Sequence, residues 1–254
     1  MNSKNSTQAV QLPLPVSLPV DETFSSFVAG ENRQLVDLLS KLANASGENG
    51  RQLLSLLSGQ NLPLINIVGG PGRGKSHLLF SLCHELAQRK SSHIYLNLND
   101  YKQLHPQVLE GLEQVSLICL DNMHAVAGIR EWEVGLFDLI NRVSESHLTT
   151  LVCTSEFGPS HPDFALPDLR SRLGWGITFQ VQPLTEEERK TVIRLRAKQR
   201  GLKLSEAALD YLLNRSDRDL PSLLRVLDVL DERSLQEKRR LTLTLVRQVM
   251  ESEG

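Results

Sequence analysis

Residues 69 to 76 read Gly-Gly-Pro-Gly-Arg-Gly-Lys-Ser, so Gly69 is followed after four residues by Gly74, Lys75 and Ser76. That spacing suits a loop that wraps phosphate. Glycines let successive backbone N–H groups curl around phosphate oxygens, and the N-terminus of the following helix adds partial positive charge. On this reading Gly69, Gly70, Pro71, Gly72, Arg73, Gly74, Lys75, Ser76 and His77 form a nucleotide site for ADP or ATP with Mg²⁺. Lys75 reaches the β- and γ-phosphates, Ser76 ligates Mg²⁺, and His77 reads as a surface residue of the helix that starts there. The run "SLICLD" ends in Asp121, a carboxylate placed to support the Mg²⁺ from a second shell. A glutamate after it would orient an attacking water. Here Asn122 follows, and an amide is a poor proton acceptor, so intrinsic ATP hydrolysis is expected to be weak or absent. One run later, Thr154 and Ser155 close "TLVCTS"; their hydroxyls either sense a γ-phosphate or simply cap a strand end.

These residues need a scaffold that brings several chain segments to one edge. The apolar runs "LPLINIV", "SHIYLNL", "VSLICLD", "TTLVCTS" and "ITFQVQPL" alternate with helically spaced segments such as "HLLFSLCHELAQR" and "WEVGLFDLINRVSES". Alternation of this kind predicts an α/β fold, a five-stranded parallel sheet flanked by helices. Residues 31 to 58 read as two helices around the polar "NASGENG". From Thr185 the pattern is helical only. Thr185 and Glu188 form a capping-box signature, and four helices follow as a small all-helical unit. The expected organisation is a leader over 1–20, a nucleotide-binding domain over 21–183 and a helical lid over 184–254.

Composition narrows the classes. The chain of 254 residues is 40% hydrophobic, with 28 basic and 30 acidic residues and a net charge of -2. That balance gives no global case for nucleic-acid binding. The stretch from Arg189 to Lys203 holds seven basic residues and no acid; it reads as a solvated helix face and leaves open a weak contact with DNA. No uninterrupted apolar window of about 18 residues suggests a membrane span. Cys83, Cys119 and Cys153 lie inside apolar runs without metal-type spacing, which predicts inert thiols in a cytoplasmic, reducing compartment.

The segment "ALPDLRSRLGWG", taken with the phosphate loop and the helical C-terminal part, resembles the AAA+ ATPases, and within them the DnaA-type replication initiators. The resemblance extends over most of the chain from Gln11. It implies a AAA+ core followed by a lid, with Arg172 as an arginine finger acting on a neighbour's nucleotide and Arg170 facing solvent. "DETFSSFVAG" is similar to the family's first segment, so Phe24, Phe27 and Val28 are implied contacts of the base, or else a strap over the core. Pro221 stands where relatives often carry a sensor arginine; Arg218 or Arg225 would have to substitute. The chain ends at Gly254 without the family's DNA-binding helix-turn-helix, which implies a regulatory member that inactivates an initiator and itself holds ADP. The leader peptide Gln11-Leu12-Pro13-Leu14-Pro15 resembles peptides that dock on the DNA polymerase sliding clamp, although a proline-rich spacer has the same composition. The implied partners are therefore a DnaA-type initiator and the clamp, with a homo-oligomer left open. A self-contained ATPase of the helicase-loader type is the competing reading.

Overall fold

The computed structural model describes residues 18–45, 48–58, 62–146, 148–202, 204–215, 220–237 and 246–248. The peptide Gln11–Pro15 lies outside them, as do Arg218 and Lys203.

The elements run α1 (Arg33–Asn44), α2 (Glu48–Ser58), β1 (Leu64–Val68), α3 (Lys75–Gln88), β2 (His93–Asn97), β3 (Leu117–Asp121), α4 (Arg130–Glu145), β4 (Thr150–Ser155), α5 (Pro167–Gly174), β5 (Ile177–Gln180), α6 (Glu186–Gln199), α7 (Glu206–Arg215) and α8 (Leu220–Glu237). The five strands form one parallel sheet in the order β2-β3-β4-β1-β5. Every residue of β1, β3 and β4 is buried, because helices cover both faces of the sheet. That explains their unbroken apolar runs. The edge strand β5 instead alternates between half-buried and exposed residues.

One apolar core packs α4 and α5 against one face of the sheet, through Leu136, Ile140, Leu169 and Leu173. The other packs α1 and α3 through Leu39, Leu42, Leu78 and Leu82. The helices after β5 close on a core of their own that includes Ile193, Leu209, Leu212, Leu227 and Leu230. Their first helix starts as the sequence predicts. Glu188 N donates to Thr185 Oγ1 at 3.3 Å, and Thr185 N donates back to the Glu188 carboxylate at 2.8 Å. No helix among the described residues is long and apolar enough to cross a membrane.

The basic run on α6 is a solvated face only in part: Arg194 and Lys198 are exposed, but most of its charges are paired. Lys190 pairs with Asp210 at 3.1 Å, Arg194 with Glu206 at 2.6 Å, and Arg200 with Asp228. Arg196 turns away from these toward Glu22 and His77 and is 8% exposed. Glu187 of α6 itself is 3.5 Å from Lys190, but the other acids that neutralise Lys190, Arg194 and Arg200 come from α7 and α8, beyond the reach of a local charge count.

Candidate nucleotide site and arginine face

The loop after β1 opens at the carboxyl edge of the parallel sheet, the place where such sheets bind ligands. Gly69 N donates to Ser155 O at 3.1 Å, which fixes the loop against β4. Gly72 and Gly74 have φ of +70° and +82°, the left-handed region that favours glycine. Close neighbours exclude a side chain as well. A Cβ on Gly72 would stand 2.6 Å from the Pro221 ring, and one on Gly74 would stand 2.8 Å from the Phe27 ring. A Cβ on Gly70 would meet nothing within 4 Å, so the loop is open there. Lys75 is buried and donates to the carbonyls of Gly69 at 2.5 Å and Gly70 at 2.9 Å. Burial pushes its ammonium below the ordinary lysine range; Glu156 and Asp121 pull it back up, and Arg73 pushes it further down.

A cavity of about 440 Å³ stands over this loop. Its floor is Pro71 to His77, and Ser26, Phe27 and Val28 form one wall. Leu184, Val192, Leu220, Pro221 and Leu224 roof it, while Asn99, Asn122 and Glu156 stand at the polar end. Backbone N–H groups at a helix start, a lysine, a serine hydroxyl and an apolar wall are the donor set a nucleoside phosphate with Mg²⁺ requires, and these residues fit that group. Gly69 and Gly70 contribute their carbonyls to Lys75 and are not on the cavity wall. Phe24 is not on it either; it packs on the α1–α3 core. Of the three apolar residues read as base contacts, Phe27 and Val28 line the cavity and Phe24 does not.

Behind the cavity, Asp121 is 1% exposed. Its carboxylate accepts from Tyr95 Oη at 2.7 Å and from Thr154 Oγ1. The Thr154 hydroxyl in turn accepts from Asn122 N at 2.9 Å. Thr154 is therefore committed to holding the end of β3, and Ser155 is buried, its hydroxyl accepting from Phe157 N at 3.4 Å. Neither lines the cavity; the next residue, Glu156, does. The sequence signal for Glu156 was its place directly after the hydroxyl pair. Asn122 sits at φ +60°, a conformation asparagine tolerates better than glutamate. Its side-chain amide donates to Asn97 Oδ1 at 2.9 Å.

His77 is not the surface residue its position suggested. Nε2 lies 2.9 Å from Thr23 O and 3.2 Å from Ser26 Oγ, and burial pushes the imidazole down to about 4. Arg196 Nη2 lies 3.5 Å from its Nδ1 and pairs with Glu22 at 3.2 Å. Burial raises the Glu22 carboxyl, against the pull of Arg196. Three segments thus meet at one end of the cavity: the strap before α1, the start of α3, and α6. Arg225 donates to Ser222 Oγ at 2.7 Å, is exposed, and does not face the cavity.

Arg172 lies on α5, away from its own chain's cavity, with its guanidinium carbon 4.4 Å from the Trp175 ring centroid. Arg170 is half-buried and donates to the carbonyls of Phe164 and Ala165, where the sequence suggested solvent. It fastens the turn that leads into α5.

Residues 186–250 match the family model described as the lid domain of Hda. Domain III of the Thermotoga maritima replication initiation protein DnaA superposes with a TM-score of 0.72 at 20% identity, covering 93% of this chain and 98% of that one. AMPPCP-bound DnaA from Aquifex aeolicus gives 0.65 at 22% identity, covering 88% and 71%. The Thermotoga maritima RuvB branch migration motor gives 0.59 at 19% identity, covering 85% and 68%. The five-stranded parallel sheet with the phosphate loop at its carboxyl edge thus shares the fold of those DnaA and RuvB chains, and residues 186–250 are similar to the lid domain of Hda.

Proposed function

We propose that this DnaA-related regulator of replication initiation acts in the cytoplasm by inactivating a DnaA-type initiator, with Arg172 as an arginine finger in trans. The carrying observation is that Arg172, half-buried on α5 between exposed Ser171 and exposed Gly174 and Trp175, is not among the residues that line its own chain's cavity. Placed against ATP in an initiator, its guanidinium stabilises the charge that develops on the γ-phosphoryl oxygens. Water attacks the γ-phosphorus, the β–γ bridging bond breaks, and the partner keeps ADP while inorganic phosphate leaves. A finger of this kind contributes about 10³ to 10⁵ in rate. The peptide Gln11–Pro15 docks this protein on the DNA-loaded clamp and raises its concentration near active replication.

The chain's own cavity binds ADP or ATP with Mg²⁺ and turns it over weakly or not at all. Two features support this: Asn122 stands where a hydrolytic glutamate would be, and uncharged Pro221 presses on the loop from the roof. Any contact with DNA is weak, because Lys190, Arg194, Arg196 and Arg200 are paired with acids within the protein. Self-assembly into a homo-oligomer would use the same arginine face.

The test mixes initiator–ATP, clamp on DNA and this protein, and follows conversion to ADP. Acceleration that is lost in Arg172→Ala and in a deletion of residues 11–15 is expected. No acceleration, or full acceleration by Arg172→Ala, overturns the reading. Brisk ATP turnover by the isolated protein, dependent on Lys75, would favour the helicase-loader reading instead.

A further inference from the structure

An arginine finger is effective only if its guanidinium is already aimed when the partner arrives. A free surface arginine is a poor candidate, because its long side chain samples many rotamers. The face around Arg172 is built against that freedom. The indole of Trp175 is 44% exposed, unusual for so large an apolar group, and it lies under the guanidinium with a 4.4 Å separation. Trp175 continues the helical turn of α5, and its backbone N donates to Arg172 O at 3.1 Å, so the two side chains lie three residues apart on one face. The backbone beneath them is fixed at both ends. At the start, the Glu133 carboxylate accepts from Ala165 N at 2.8 Å and Leu166 N at 2.7 Å. At the finish, Asn66 Nδ2 donates to Leu173 O at 2.9 Å.

We propose that Trp175 is the positioning residue for Arg172: its indole face holds the guanidinium in one outward pose on a helix clamped by Glu133 and Asn66, so the finger is set before contact with a nucleotide-loaded partner. The inference rests on the trans-acting reading of Arg172. Trp175 itself touches no reacting atom. Its removal leaves the charge present but unaimed, so the loss falls on kcat and not on the concentration needed for half-maximal stimulation.

The experiment compares full-length wild type, Arg172→Ala, Trp175→Ala and Trp175→Phe in clamp-dependent stimulation of initiator ATP hydrolysis, with circular dichroism and thermal melting as folding controls. Trp175→Ala should lower stimulated kcat about 3- to 30-fold, the range a cation–π contact supplies, with an unchanged half-saturating concentration. Trp175→Phe should restore most of it. A readout independent of activity is acrylamide quenching of tryptophan fluorescence. The other tryptophan of the chain, Trp132, is buried and contributes a constant background. Quenching should rise in Arg172→Ala as the covering guanidinium is removed. If Arg172→Ala abolishes stimulation while Trp175→Ala keeps wild-type kcat, the positioning role is overturned and the finger stands. If Trp175→Ala raises only the half-saturating concentration, Trp175 is a partner contact and the proposal is wrong. If quenching is the same with and without the guanidinium, the stack does not exist in solution. If Arg172→Ala stimulates fully, the finger reading falls, and the positioning role falls with it.

Discussion

The nucleotide cavity and the arginine face are two ends of one molecule built on opposite plans. The cavity is concave and shared by segments far apart in sequence: the strap at Ser26–Val28, the loop at Pro71–His77 and a roof from the lid. Its closure depends on contacts between segments far apart in the chain, such as Pro221 against Gly72 and Arg196 against Glu22. The arginine face belongs to one short helix, α5, and the turn after it, tied by Glu133 and Asn66 to α4 and β1. A site that must admit and release a ligand tolerates movable walls. A group that must present charge to another molecule needs a fixed mount.

Separable ends should fail separately, and the largest effect is expected at the cavity. Lys75→Ala should weaken binding of a fluorescent ADP analogue at least about a hundredfold, since two charge-assisted hydrogen bonds to phosphate are lost. Tryptophan quenching at Trp175 should not change; a change there would mean that the two ends communicate through the loop. At the mount, Glu133→Ala removes a buried carboxylate that three backbone donors share, those of Gly128, Ala165 and Leu166. It should cost about 3 kcal/mol in urea unfolding and lower stimulation of the initiator, with nucleotide affinity unchanged. Equal damage to nucleotide affinity would break the comparison.

The pH dependence belongs to the cavity end. The folded protein holds His77 at about 4, below the ordinary 6.5, so it favours the neutral ring. That stabilisation is complete above pH 6.5 and is lost as pH falls toward 4. Between pH 7.5 and 5 the loss should be about 2 kcal/mol by chemical denaturation. His77→Gln should flatten this part of the profile; an unchanged profile would place the titration elsewhere. The smallest effect lies in the lid. Thr185→Ala removes the cap of α6 and should cost about 1 kcal/mol in thermal unfolding, with stimulation intact.

Much of this was legible in sequence because it is local. The loop glycines, the alternation of apolar runs and helices, and the Thr185–Glu188 box are all written within a few residues of where they act. What was not legible depends on partners far along the chain. Thr154 reads as a free hydroxyl until β3 and β4 are placed side by side and it is found bonded to Asp121. His77 looks exposed because helix periodicity cannot show a strap crossing over it from Thr23 and Ser26. The charges on α6 look solvated because their acids lie on α7, on α8 and, for Arg196, more than 170 positions earlier at Glu22. Glu133, the anchor of the arginine mount, reads as one more acid in the first turn of a helix.

The Glu22–Arg196 pair carries one more consequence, a kinetic one. Deleting either partner would strand the other ion in a poorly solvated place, which is strongly destabilising. Swinging the lid away strands neither, because both ions separate into water. Separation of the pair into water therefore costs less than loss of either partner, a difference that truncation cannot imitate. Dissolved salt screens charges in the open state more than in the closed one, so it favours opening. The residence time of a bound nucleotide should shorten as ionic strength rises, and stopped-flow release of a fluorescent analogue at low and high salt measures it; a salt-independent rate would mean that the lid does not gate exit.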